Sequence, residues 1–266
     1  MTDSVFKPSG VVTLLTDFGL SDPYVGVMKG VMLSLAPKLE LIDLTHGVPA
    51  QAVAVGAWHL AQSWARFPRG TVHVVVVDPG VGSERRILLA ERDGHIFLGP
   101  DNGVLDPSLG GDAVVRSLDI ERFALPGASR TFHGRDVFSP AAAALASGMD
   151  LSEAGELASS WERLSLPEAE VDGDGVIHTE VLYADSFGNL ITTVEAALLG
   201  DAAWSVEVGG ESMPLVGTYA EVEVGALLAL VGSSGTVELS VRDGDAAARL
   251  GARAGTAVVI RPSSSA

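Results

Sequence analysis

Two aspartates stand where an apolar run stops: Asp17 after VVTLL and Asp78 after VHVVVV. Open parallel α/β sheets bind ligands beyond the carboxyl ends of their strands, so a carboxylate placed there can meet a substrate. Either acid alone can equally close a turn; two on adjacent strand ends weigh more. Asp22 follows Asp17 by five residues, in LSDPY, where an Asp before Pro also starts helices. Beyond Asp78 the chain reads DPGVGSERR, with Gly80 and Gly82 able to bring backbone amides to a ligand and Arg85 returning seven residues on. That loop lacks the Gly-Lys-Ser/Thr of a Walker loop and the third glycine of a dinucleotide fingerprint.

TFHGRDVFSP (131–140) gathers Thr131, His133, Arg135 and Asp136 ahead of a helix start, the most suggestive company of any of the six histidines. His46, in DLTHGVP, competes from a strand-to-helix turn. ADSFGNLITT (184–193) sets Asp185 and Asn189 around Phe187 and a glycine, which can bind an amide or purine edge under a ring or make an ordinary turn. GSSGTVEL (232–239), containing Ser233 and Glu238, is a donor-rich ligand loop or a plain turn. Asp17, Asp22, Asp78 and His133 are conceivable metal ligands, but no His-x-x-x-His, His-Glu or Asp-x-Asp spacing supports a metal site. No Gly-x-Ser-x-Gly marks a serine nucleophile.

The elements that must hold these residues alternate in type. VVTLL (11–15), LELIDLTHG (39–47) and TVHVVVVDPG (71–80) read as strands. Between them, a helix capped by Ser21 or Asp22 puts Val25, Met28, Met32 and Leu35 on one face, and AVAVGAWHLAQSWARF (52–67) forms a second. Alternation predicts a mostly parallel sheet covered on both faces. RILLAERDGHIFLGPDNGVL (86–105) has a hairpin signal at Arg92-Asp93-Gly94. DVFSPAAAALASGM (136–149) predicts a helix capped by Ser139 with Pro140 in its first turn, and another short helix follows from Ser152. The texture changes near 166–174, after which strand-like pieces and turns predict a small β-barrel or sandwich. The fold class is therefore α/β: a Rossmann-like domain over 1–168 and a smaller all-β, barrel-like domain over 169–266. The closing SSSA is expected to fray.

With 266 residues, 47% hydrophobic and 19% charged, the chain is that of a folded protein. Its 17 Lys+Arg against 34 Asp+Glu, a formal charge of −17, repel phosphate backbones and argue against a nucleic-acid partner. The absence of cysteine excludes disulfides, thiolate metal sites and a cysteine nucleophile. MTDSVFKPSG has no apolar leader core, and no apolar run reaches the ~20 residues of a membrane span, so a cytoplasmic protein is expected. The residues alone stop at an α/β domain followed by a β domain, acting on a small ligand.

Taken together, LLTDFGLSDPYVGVMKGVM, IDLTHGVP, VVVVDPGVGSERR, FLGPDNGVL, TFHGRDVFSPAAAALASG, DSFGNLITT and SSGTVELSV resemble the S-adenosyl-L-methionine hydroxide adenosyltransferases, relatives of the fluorinase and chlorinase. The resemblance spans nearly the whole chain. It implies an adenosine-forming S-adenosylmethionine hydrolase, without cofactor or metal, assembled as a homotrimer with ligand at subunit interfaces. It implies catalytic roles for Asp78, Arg85 and His133, ribose binding by Asp17, and the methionine amino end held by Asp22 and Asp185. Phe187 and Asn189 would line the adenine site and Ser233 would touch the ligand. Glu238 keeps a common family position. Fluorinases have tyrosine at the position of Asp78, serine at that of Gly134, and an insertion absent here, which places this chain on the hydroxide-using branch. One departure is Thr236, near which many relatives carry a larger residue.

The implied chemistry is attack of water on the 5′ carbon, with Arg85 and His133 expected to act as a pair of cations and Asp78 to orient the water or take its proton. Three alternatives remain at this point: a halide adenosyltransferase, a non-catalytic S-adenosylmethionine or adenosine binder, and a metal-dependent phosphoesterase.

Overall fold

The apolar runs become the strands β1 (Val11–Thr16), β2 (Glu40–Thr45) and β3 (Val72–Val76), linked by the helices α1 (Tyr24–Leu35) and α2 (Val53–Ser63). The computed structural model describes residues 6–200 and 202–263; the expectations made for the first residues and for SSSA fall mostly outside that range. β1 runs parallel to both β2 and β3. Every residue of β1 and β3 is buried, which is why both read as continuous apolar runs rather than alternations. Val72, Val74 and Val76 enter one core cluster with Met28 and Met32 of α1. Val77 points the other way, against Gly56 of α2.

The hairpin forms as its turn chemistry dictates. β4 (Ile87–Arg92) and β5 (His95–Pro100) pair antiparallel through Arg92 and His95. The two residues between, Asp93 (φ 52°) and Gly94 (φ 74°), are both left-handed, the requirement of a tight type I′ turn. β5 also lies parallel to β3, and β6 (Val114–Leu118) and β7 (Gly155–Leu157) extend the sheet antiparallel beyond β4. The strand order is β2-β1-β3-β5-β4-β6-β7, parallel in its first four strands and antiparallel beyond. α3 (Asp106–Leu109) and α4 (Ile120–Phe123) are single turns, and α5 (Ser139–Ala146) packs with α1 in the core.

Four local expectations are corrected. Neither Ser21 nor Asp22 caps α1: Pro23 holds the cap position, with no side-chain cap hydrogen bond. Leu35 is exposed, as the last residue of α1, where the buried face formed by Val25, Met28 and Met32 has ended. The helix expected to start at Ser139 is preceded by a π-helical turn, Gly134–Phe138, in which the Ser139 N–H reaches back five residues to the Gly134 carbonyl. The short helix from Ser152 is a 3₁₀ turn, Leu151–Glu153, capped by Asp150.

The chain divides into two compact units, Met1–Leu164 and Ser165–Ala266. The second is built from two antiparallel sheets. One orders β10 (Tyr183–Ala184), β11 (Leu190–Glu195), β15 (Thr236–Val241) and β14 (Leu227–Val231). The other orders β13 (Glu211–Pro214), β12 (Trp204–Val208), β16 (Ala257–Pro262), β9 (Ile177–Glu180) and β8 (Glu170–Val171). Inward residues of both, among them Leu190, Val206, Leu239 and Ile260, share one core. A helix the sequence reading missed, α6 (Ala246–Leu250), is capped by Asp245 and stopped by Gly251 in the left-handed conformation.

Candidate active site

Asp17 and Asp78 follow the carboxyl ends of two neighbouring parallel strands, since Thr16 of β1 lies in register with Val76 of β3. What happens after Asp78 is set by the turn DPGVGSER. The Val81 N–H donates to the Asp78 carbonyl (3.2 Å), the Ser83 hydroxyl to the Gly80 carbonyl (2.7 Å), and the Arg85 N–H to the Ser83 hydroxyl oxygen (3.2 Å). The chain thus doubles back and lays Arg85 along Asp78. Arg85 Nε donates to both carboxylate oxygens, at 2.8 and 3.0 Å, and Nη2 also contacts Oδ2. Both side chains are buried, 8% and 4% exposed. In water-poor surroundings such a two-pronged charge pair holds its geometry firmly.

His133 completes the cluster. Arg85 Nη2 lies 3.1 Å from His133 Nδ1. A guanidinium only donates, so Nδ1 must be the acceptor, and the imidazole is neutral with its proton on Nε2. Burial, followed by the adjacent Arg85 charge, holds the His133 pKa below its ordinary value, against smaller upward pulls from Asp78 and Asp136. The expected cation pair is therefore corrected: Arg85 is the cation and His133 a neutral partner oriented by it.

Two features bring His133 to this place. Gly82 has φ 78°, and a Cβ there would run into the carbonyl oxygen of Arg130, so only glycine lets the Asp78 loop approach the segment leading to His133. After His133 comes the π-turn. Pro140 has no N–H to offer the Asp136 carbonyl, which instead accepts from Leu125 (3.0 Å), while the buried Asp136 carboxylate binds Arg135 and the Ser129 N–H. π-turns of this kind recur at functional sites.

Asp17 Oδ2 accepts the Gln51 N–H at 2.8 Å. Asp22 is exposed and, freed from capping, remains available to a ligand. The rings of Phe18, Tyr24 and Phe132 meet edge-on, with centroids 5.3–6.0 Å apart, and tie the Asp17–Asp22 loop to the His133 segment. His46 proves structural: its Nδ1 meets the Thr16 hydroxyl at 2.9 Å and its Nε2 lies 3.0 Å from Asp43.

In the second unit Asp185 organises its own turn. Oδ1 accepts the N–H groups of Phe187 and Asn189, both at 2.9 Å, and Oδ2 accepts Asn189 Nδ2 at 3.0 Å. Phe187 is left 75% exposed. Glu238, on β15, takes a hydrogen bond from the Tyr219 hydroxyl. Burial, then that bond to Glu238, pushes the Tyr219 hydroxyl up to about 12; burial, then Asp185 and Glu238, does the same for Tyr183. Phe187, Asn189, Tyr219 and Arg242 line a cleft of about 720 Å³, whereas Ser233 sits exposed on the β14–β15 turn. Sequence reasoning passed over Tyr219, whose partner lies 19 residues away; alternation in TVELSV sets Glu238 with Thr236 and Ser240 on the face opposite the core residues Val237, Leu239 and Val241, and gave no signal of this contact. Among the described residues, no three His, Asp or Glu side chains converge as metal ligands.

An Asp–Arg–His cluster at the carboxyl edge of an α/β sheet, its Asp and Arg side chains buried and its His half-buried, followed by a β unit with an acid–aromatic–amide turn, defines a two-unit protein of the small-ligand class. More particularly, the chain belongs to the SAM hydroxide adenosyltransferase family, whose N-terminal domain matches residues 12–155 and whose C-terminal domain matches residues 179–259. It is 40% identical over 256 residues to the (R)-S-adenosyl-L-methionine hydrolase of Thermus thermophilus, covering 93% of this chain and 98% of that one. A fluorinase from Actinoplanes sp. is more distant, 25% identical over 268 residues, 86% of this chain and 90% of the fluorinase. The crystal structure of an uncharacterized conserved protein from Thermotoga maritima matches with a TM-score of 0.86 at 32% identity, covering 94% of this chain and 99% of that one.

Proposed function

We propose that this protein hydrolyses S-adenosyl-L-methionine, water attacking the 5′ carbon to release adenosine and L-methionine. The observation that carries the reading is the contact set of the buried Asp78 and Arg85 side chains with the half-buried His133. As the new C–O bond forms, the C5′–S bond breaks and its electron pair stays on sulfur, turning a sulfonium into a neutral thioether. The leaving group therefore needs no acid. The difficulty lies in the nucleophile, because bulk water has a pKa of about 15.7. Asp78 orients the water and takes its proton, while the Arg85 cation favours the developing negative oxygen. His133 Nδ1 is occupied by Arg85, so His133 serves as a donor through Nε2–H rather than as the base.

In this reading, residues 1–168 supply the catalytic groups and Asp17 and Asp22, and residues 169–266 supply Asp185, Phe187, Asn189, Ser233 and Glu238 for the adenine and methionine ends. No cofactor or metal takes part, since the substrate brings its own positive charge to an acidic protein. The working form is a homotrimer in the cytoplasm with no nucleic-acid partner. Leu20 (77% exposed), two residues before Asp22, and Phe187, itself an assigned ligand residue, are among the exposed apolar side chains that assembly would cover. No helix among the described residues is long and apolar enough to cross a membrane.

The test is incubation with S-adenosylmethionine in ¹⁸O-water, each sulfonium epimer separately because the Thermus relative is named for the R form. Adenosine labelled at its 5′ oxygen, formed equally with chelator present, is the expected product. Unlabelled adenosine, recovery of intact substrate, or 5′-haloadenosine on adding halide would overturn the reading. Light scattering checks the trimer.

A further inference from the structure

The loop that carries the site is gripped at both ends by one dipeptide, Asp101–Asn102, which directly follows β5. Asn102 Nδ2 donates to the carbonyl oxygen of Val77, the residue before Asp78, at 2.9 Å. Its Oδ1 accepts the Val104 N–H at 3.1 Å, which fixes which way the amide points: reversed, it would set oxygen against oxygen and N–H against N–H. Asp101 holds the other end. Its N–H donates to the carbonyl of Arg86, the residue after Arg85, at 3.0 Å, and its carboxylate accepts Arg86 Nε at 2.8 Å. The other carboxylate oxygen takes the Glu162 N–H at 2.8 Å, and the residue is only 8% exposed.

The eight residues 78–85 contain two glycines and no regular secondary structure; hydrogen bonds within the loop shape the turn, while the flanking residues Val77 and Arg86 are held from outside it, by Asn102 and Asp101. Reacting groups misplaced by about 1 Å can lose a hundredfold in rate. We propose that Asp101 and Asn102 are positioning residues for hydrolysis, acting as a two-point clamp that sets the Asp78 carboxylate and the Arg85 guanidinium in register. Neither touches the reacting atoms; Asn102 acts through the Val77 peptide and Asp101 through Arg86. The inference rests on the hydrolase reading for its kinetic consequence, but the clamp itself has a signature independent of turnover.

Asn102→Asp keeps the shape and replaces the donor by an oxygen facing the Val77 carbonyl, while Asp101→Asn keeps an acceptor for Glu162 and removes the charge facing Arg86. In variants that retain the wild-type circular dichroism spectrum, kcat should fall at least tenfold with KM within twofold. For Asn102→Asp the ratio of variant to wild-type kcat should rise as pH is lowered, because a protonated carboxyl regains a donor. In parallel, the ¹⁵N–¹H signal of Arg85 Nε, assigned by its disappearance in Arg85→Lys, should lose exchange protection in both variants. Unchanged kcat together with an unchanged Arg85 signal in folded protein overturns the clamp, as does a loss that merely tracks the folded fraction. If wild type produces no adenosine, the hydrolase reading fails, and the Arg85 signal alone decides whether the clamp exists. Should one variant not fold, the other carries the same readouts.

Discussion

Arg85 Nη2 sits 3.1 Å from His133 Nδ1, a donor that cannot accept against a nitrogen that must. This one contact fixes the imidazole tautomer and settles which member of the cluster carries positive charge. Protonating His133 would turn N–H against N–H and place two cations side by side. Both burial and Arg85 accordingly lower its pKa.

The pH dependence follows in sign. His133 should titrate by NMR with a midpoint below the ordinary 6.5, and the acid limb of kcat should lie below that value too. Arg85→Met removes the lowering charge while Asp78 and Asp136 still pull upward, so the midpoint should rise. A midpoint that stays put in that variant would contradict the assigned contact.

Arg85→Lys retains the charge but not the fork. Lysine offers one compact ammonium in place of Nε and Nη2, and cannot reach both Asp78 oxygens and His133 together. A loss of kcat/KM of roughly a hundredfold or more is expected, on the scale of a removed transition-state donor. Asp78→Asn should lose as much, with KM nearly unchanged. Proportionate losses in KM would show that the pair binds substrate rather than preparing water.

How much of this was legible beforehand depends on the distance over which each signal acts. The four valines before Asp78 and the Asp93-Gly94 turn are local patterns, and both produced the elements they predict. Asp78 and Arg85 are seven residues apart in a glycine turn, close enough for sequence to suggest that they meet. The π-turn was not legible, since Ser139-Pro140 carries the usual signature of a helix start and the bond that extends the helix backwards ends on Gly134. Nor was the charge state of His133, which depends on a partner 48 residues away. The clamp at Asp101–Asn102 lay inside a segment read for its hairpin and its family resemblance, because nothing in GPDNG announces that its side chains reach Val77 and Arg86.

Gly82→Ala separates the loop's conformation from its chemistry. The substitution strains a backbone at φ 78° and pushes against the Arg130 carbonyl, at a cost of about 1–3 kcal/mol. Because the displaced partner leads into His133, turnover should drop further than the melting temperature implies. Gly111→Ala is the control, being free of positive φ and of any neighbour within 4 Å, and should leave both quantities unchanged.

The last expectation concerns a histidine outside the site. His73 is fully buried in β3, with Nδ1 2.8 Å from the Thr13 hydroxyl and Nε2 3.1 Å from His95 Nδ1. Burial, then the neighbouring His95, takes its pKa down to about 3. The unfolded chain, with an ordinary value near 6.5, binds a proton that the folded chain refuses. Folding stability is thus unaffected by this group above 6.5 and falls as pH drops from there to about 3, by about 1.4 kcal/mol per pH unit at most. His73→Phe would cost about 1–3 kcal/mol at pH 7.5 through the unpaired Thr13 and His95. It would also remove the proton penalty, so urea unfolding curves of variant and wild type should converge as pH falls toward 4. A stability gap that stays constant over that range would mean that His73 takes up a proton as readily in the folded protein as in the unfolded chain, against the direction that its burial and the neighbouring His95 impose.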